Sequence, residues 1–313
     1  MSSVGSLKIA LRCAAFMAFS VWMLPAQTID DGIMIAGKTI FGGFVYSHDS
    51  WEHYWEGPLK RVNGNLGSVT TNTSTLTINY GVLDRLNLIA NIPYVSTNAS
   101  QGVLAGQQGW QDATFAAKYQ IINRRVTKYG SLSLIVVAFG GFPLTDYSPD
   151  FQPLSIGLGS TRVGGRLTAN YQTRFGWYIN TTSAYTWRGS VTLDRPYYFT
   201  DDQLFLTDEV QMPDVVDYSI SPGYLKKGRM FQVGFTKQIT QGGGDIRRQD
   251  APFISNRFIY AKIGGMVMYP LPIPKVKGLS FRFELNRVID GRNVGQATTV
   301  VAGLLKTVSL KRQ

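Results

Sequence analysis

Arg162-Val163-Gly164-Gly165-Arg166-Leu167-Thr168-Ala169-Asn170-Tyr171-Gln172 switches face at every step. Val163, Gly165, Leu167, Ala169 and Tyr171 share one side; Arg162, Arg166, Thr168, Asn170 and Gln172 share the other. Successive side chains of an extended strand point to opposite faces, so this stretch predicts a strand between an apolar medium and water. The same period returns along the chain. Leu76, Ile78 and Tyr80 alternate with Thr75, Thr77 and Asn79, and Leu86, Leu88, Ala90, Ile92 and Tyr94 face away from Asn87 and Asn91. Phe115, Ala117, Tyr119 and Ile121 repeat it, as do Phe231, Val233 and Phe235, and Leu279, Phe281, Phe283 and Leu285.

About twelve strands are predicted, near 36–48, 68–80, 86–96, 110–121, 130–142, 160–172, 177–188, 214–224, 230–240, 256–267, 279–288 and 296–309. Ten or fourteen also fit the length, with 189–213 the place for an extra pair. The connections alternate. Short ones fall at 81–85, 122–128, 173–176 and 225–229, with a Pro-rich one at 269–277. Long ones fall at 49–67, 97–109, 143–159, 189–213 and 241–255. A soluble sandwich has no reason to sort its loops by length. A transmembrane antiparallel up-and-down β-barrel does: short turns on the periplasmic side, long loops outside. The expected fold is therefore an all-β barrel in a Gram-negative outer membrane.

Composition agrees. The 313 residues are 44% hydrophobic, which excludes a disordered chain, and only 16% charged, against ~25% for a typical soluble domain. One cysteine excludes a disulfide framework and, with two histidines, a structural zinc site. The net charge of +11 raises nucleic acid as a partner, but no basic run longer than Lys226-Lys227-Gly228-Arg229 and no binding motif supports one. Lys8 and Arg12 followed by the apolar stretch 13–24 and Pro25-Ala26 predict a cleaved signal peptide over 1–26. Residues 27–313 are then a single barrel domain.

Tyr80-Gly81-Val82-Leu83-Asp84-Arg85-Leu86-Asn87-Leu88-Ile89-Ala90-Asn91-Ile92-Pro93-Tyr94-Val95 is followed by Gly106-Gln107-Gln108-Gly109-Trp110-Gln111-Asp112 and Lys118-Tyr119. With the segment 46–57, these resemble the outer-membrane transporter family described as "MetA-pathway of phenol degradation". The resemblance covers about 35–125. It implies a barrel akin to fatty-acid and aromatic-hydrocarbon channels, with hydrophobic or aromatic compounds as substrates. Two departures stand out. The chain ends Val308-Ser309-Leu310-Lys311-Arg312-Gln313 rather than in an aromatic residue, which leaves Val308 and Leu310 as substitutes for the usual insertion signal. Only Gln27–Ala36 precede the first strand, too few for a folded plug, so any plug is expected from the loops.

The charged residues expected inside are Lys118, Arg162, Arg166, Asp217, Lys262, Arg282 and Glu284. Such charges tune selectivity, and an excess of cations favours anions. Alternatively they pair across strands as a structural ladder. Trp51, Tyr54 and Trp55 crowd one loop, as an aromatic entrance or an interface anchor. Tyr80, Tyr94, Tyr119, Tyr171, Trp177, Tyr185 and Trp187 lie near strand ends, as expected of interface girdles. His48 and His53 stand five apart, which suits neither a strand face nor a helix face, so no metal site is expected. No nucleophile motif surrounds His48.

These features predict a non-enzymatic channel, without cofactors, for passive uptake of small molecules. Its other partners are outer-membrane lipid and lipopolysaccharide. A structural or adhesion barrel with a closed lumen is the alternative, and a lipid-modifying enzyme a further one.

Overall fold

The computed structural model describes residues 28–247 and 252–310. The signal peptide expected over 1–26 lies outside them. Twelve long strands form the wall: β1 (Thr39–Trp51), β2 (Val69–Leu83), β3 (Leu86–Ala99), β4 (Asp112–Arg125), β5 (Gly130–Pro143), β6 (Arg162–Thr173), β7 (Trp177–Arg188), β8 (Val215–Lys226), β9 (Arg229–Thr240), β10 (Ile259–Pro270), β11 (Leu279–Arg292) and β12 (Thr298–Ser309). Each pairs antiparallel with its neighbours, and β1 pairs with both β2 and β12, with Thr39 opposite Gly81 and Ser309. The sheet therefore closes. Closure leaves no edge, which is the condition for strands to cross a bilayer with every backbone group bonded. No described helix is long and apolar enough to cross a membrane.

Outward positions carry the apolar girth. In β7, Trp177, Ile179, Tyr185 and Trp187 are exposed while Tyr178, Asn180, Thr182 and Thr186 are buried inside. Several strands run three or four residues past the expected ends, and register shifts sit at Gly81/Leu83, Gln120/Ile122 and Ala261/Lys262. The stretch 189–213 adds no wall strands. It forms two small ribbons outside the barrel, Val191–Thr192 with Glu209–Val210 and Tyr198–Thr200 with Gln203–Phe205.

The long loops fold together into a cap. Val191, Leu193, Tyr198, Val210 and Met212 pack with Phe253 and Ile254 from the next loop. Arg195 pairs with Asp150, Arg247 with Asp202, and Arg292 with Asp245. The Asn293 side chain accepts from the Gly57 and Ile246 N–H groups and donates to Asp245 and the Arg257 carbonyl.

One expectation is overturned. The segment ahead of β1 is itself the plug. From Lys38 the chain turns into the barrel, and Thr28–Gly37 lie within the lumen, bonded to inward residues of β3, β4 and β6. A plug this short needs no core of its own, because the wall supplies its partners. Ten extended residues reach at most about 36 Å, ample for crossing a small barrel.

Candidate functional site

Two kinds of wall hold the segment. Lys118 of β4 points inward and is fully buried. Its ammonium donates to the Thr28 carbonyl at 3.0 Å, the Asp31 carbonyl at 2.7 Å and the Asp31 carboxylate at 2.7 Å. Arg166 of β6 pairs with Asp30 at 2.9 Å. Asn87 of β3 accepts from the Ile35 N–H and donates to the Ile35 carbonyl. Gly32 lies against Asn170 and Asn180, where a Cβ would come within 2.3 Å of the Asn180 amide oxygen.

The other wall is apolar. Ile35 is buried among Phe41, Met230, Met266, Met268 and Leu305, with Ile33 beside them. Ile29 and Met34 pack on Ile89, Ala116, Ile135 and Val137, with Phe139. These inward apolar positions had no counterpart among the expected lumen residues. Their sequence signal is β5, where Leu134-Ile135-Val136-Val137 is apolar on both faces. A strand with water on one side would alternate.

Beside the segment a cavity of about 270 Å³ remains. Asp30, Asp31, Arg166, Asp217, Lys262, Arg282 and Glu284 line it, with Tyr260, Ser219 and Thr236. Arg282 and Glu284 pair along β11. Arg162 stands nearer the outer end, 3.8 Å from Asp112. Cross-strand pairing is thus a minor theme: Lys118 and Arg166 are matched by the segment's carboxylates, not by the wall's.

The outer mouth is covered. Loop 144–161 folds inward, and Thr97 of β3 donates to the Leu154 carbonyl at 2.6 Å. Tyr147 of this loop donates to Asp112 and accepts from the Gly159 N–H. Burial, then the Asp112 carboxylate, push its phenol above the ordinary tyrosine range, so it stays a donor. Trp51, Tyr54 and Trp55 gather where the ribbon 53–62 meets the β11–β12 connection. Trp55 is buried against Gly291, and Trp51 lies over Gly295. His48 bonds Asn72. Ser47, adjacent along β1, takes the opposite face of the strand, so the two form no dyad.

Of the aromatic residues expected near strand ends, Tyr80, Tyr119, Tyr171 and Trp177 sit toward the short turns; Tyr94, Tyr185 and Trp187 sit toward the loops. Trp177 packs edge-on to Tyr224, Tyr94 edge-on to Trp110, and Tyr185 beside Trp187.

A closed twelve-stranded wall with an apolar outside and a polar, charged lumen defines an outer-membrane β-barrel. The chain belongs to the family described as "Putative MetA-pathway of phenol degradation", whose model matches residues 61–302. Its fold is similar to that of the COG4313 outer membrane channel from Pseudomonas putida F1: TM-score 0.68 at 14% identity, covering 90% of this chain and 100% of that one. The NanC porin is similar at TM-score 0.45 and 9% identity, over 84% of this chain and 98% of that one. Pseudomonas aeruginosa OccD3 follows at TM-score 0.38 and 9% identity, over 92% and 95%. No curated protein matches the sequence.

Proposed function

We propose that this protein is a passive outer-membrane channel for small molecules, closed at rest by its own N-terminal segment and selective for anions when open. The observation that carries the reading is the seating of Thr28–Gly37 on Lys118 and Arg166 beside a polar cavity. A structural barrel would gain from filling its lumen with wall side chains. Here the filling is a strap anchored at Lys38, which can leave without breaking a single wall strand pair. When the segment leaves, Asp30 and Asp31 leave with it, and Lys118, Arg166, Lys262 and Arg282 outnumber Asp217 and Glu284 in the lumen.

Planar-bilayer recording in a salt gradient tests this, comparing the protein with a variant lacking residues 28–37. The expected result is small, infrequent openings for the full protein and steady, anion-selective current for the variant. A variant that folds as a heat-modifiable barrel and stays silent would favour the closed structural barrel.

A further inference from the structure

The segment shows what its binding site accepts. Toward the wall it presents two carboxylates, Asp30 and Asp31, and a set of apolar side chains, Ile29, Ile33, Met34 and Ile35. The wall answers with two cations and two apolar patches. Each hydrogen bond described for the Lys118 ammonium is donated to the segment. A buried ammonium stripped of its partners is costly, so an open lumen needs another acceptor there.

We infer that the site under the segment binds small amphipathic carboxylates, a carboxylate on an apolar or aromatic body, and that such a solute opens the channel by taking the place of Asp30 and Asp31. The inference rests on the channel reading above. The geometry gives an order of events. The Asp30 side chain is 64% exposed beside the cavity and is the looser latch; Asp31 is nearly buried and is the deeper one. A solute in the cavity meets Arg166 first. Once its carboxylate replaces Asp30, its apolar body can reach Met266, which lines the cavity and belongs to the patch that holds Ile33 and Ile35. A small hydrophilic anion lacks the second contact, and a neutral aromatic lacks the first.

The test uses a spin label on Thr28→Cys, a position that lines the cavity, with Cys13 replaced, so that release of the segment is read without reference to current. Benzoate, acetate and benzyl alcohol are the probes. Benzoate is expected to mobilise the label and to raise the open fraction about tenfold, while the other two do little. Arg166→Gln is expected to weaken the benzoate response, and Arg166→Lys to restore part of it. An equal response to all three probes, or none to benzoate, would overturn the inference. Current through the variant lacking 28–37 decides the channel reading separately.

A second surface stands on an independent observation. Twelve lysines and arginines occupy the short-turn end, from Lys38 to Lys306, and all are exposed. One carboxylate accompanies them, Asp84, and it accepts from the Gly37 N–H. None of the ion pairs among the described residues includes any of these cations. Lys226 even faces Arg229 across its hairpin, with Lys227 at the turn. Like charges in such positions repel, so their counter-ions come from outside the protein. Several are stacked on interface aromatics: Arg174 over Phe175 at 4.8 Å, Lys128 over Tyr129 at 4.8 Å and Arg229 over Tyr269 at 5.0 Å. Aromatic rings of this kind mark the headgroup level.

We propose that this rim binds the anionic phospholipid headgroups of the periplasmic leaflet. Native mass spectrometry of the full chain with phosphatidylglycerol, cardiolipin and phosphatidylethanolamine is the test. Anionic lipids are expected to be retained preferentially, with several-fold loss in a Lys226→Gln, Lys227→Gln, Arg229→Gln variant that keeps its heat-modifiable fold. Equal retention of all three lipids would overturn the proposal. So would an unchanged preference after Lys128→Gln and Arg174→Gln are added, since it would place the lipid elsewhere.

Discussion

Lys118 and Asp31 meet at 2.7 Å in the middle of the barrel, both buried, although 87 residues separate them in sequence. One belongs to the wall and the other to the strap, so this contact is where the closed state is held.

Asp31→Asn keeps the shape and removes the charge. Losing one charge-assisted bond of roughly 1.5–3 kcal/mol should raise the open fraction about tenfold or more. Single-channel recording reads this directly. Lys118→Met should do the same and also reduce anion preference, because it removes a wall cation.

Gly32→Val overfills the closest approach between strap and wall. The added Cβ would lie 2.3 Å from the Asn180 oxygen and 2.5 Å from the Asn170 Cβ. The strap should fail to seat, and the variant should conduct like the one lacking residues 28–37. The same substitution at Gly165, where a Cβ meets open space, should leave gating unchanged.

Lys262 lines the cavity away from the strap's own ion pairs. In the variant lacking residues 28–37, Lys262→Glu should move the reversal potential toward cation preference. An unmoved potential would place the selectivity elsewhere on the wall.

The cap carries a pH dependence. Hydrogen bonding to Arg292 and Asn293 holds the Asp245 carboxyl below its ordinary range despite partial burial. Its contribution is therefore complete above the unfolded value near 3.9 and is lost only as pH falls through the lower folded value. Hydrogen exchange of residues 241–247 should stay slow at pH 5 and rise only in stronger acid. Asp245→Asn should speed it at neutral pH by a few-fold, as expected for a partly exposed pair of about 1 kcal/mol.

The wall was legible in the sequence because membrane strands repeat one rule. Arg162, Arg166 and Lys118 alternate with lipid-facing neighbours, and that period places them inside. The strap was not legible. Ile29, Ile33 and Ile35 carry no period, and their partners Ile89, Met230 and Leu305 lie on strands far apart in sequence. Counting residues ahead of β1 asks whether they could fold alone, and the barrel removes that requirement. The doubly apolar β5 was the one local trace of a strap packed inside.

Among the described residues the strap is tethered at one mouth, where Lys38 donates to the Gly81 carbonyl beside the short turns. It can withdraw toward the periplasm, but retreat the other way is stopped by the tether and by the loop held over Thr97. Force from outside therefore acts along the strap's free direction, and force from inside drives it deeper. The proposed pore is then a check valve: its current should differ under opposite polarities although its wall is a nearly symmetric cylinder.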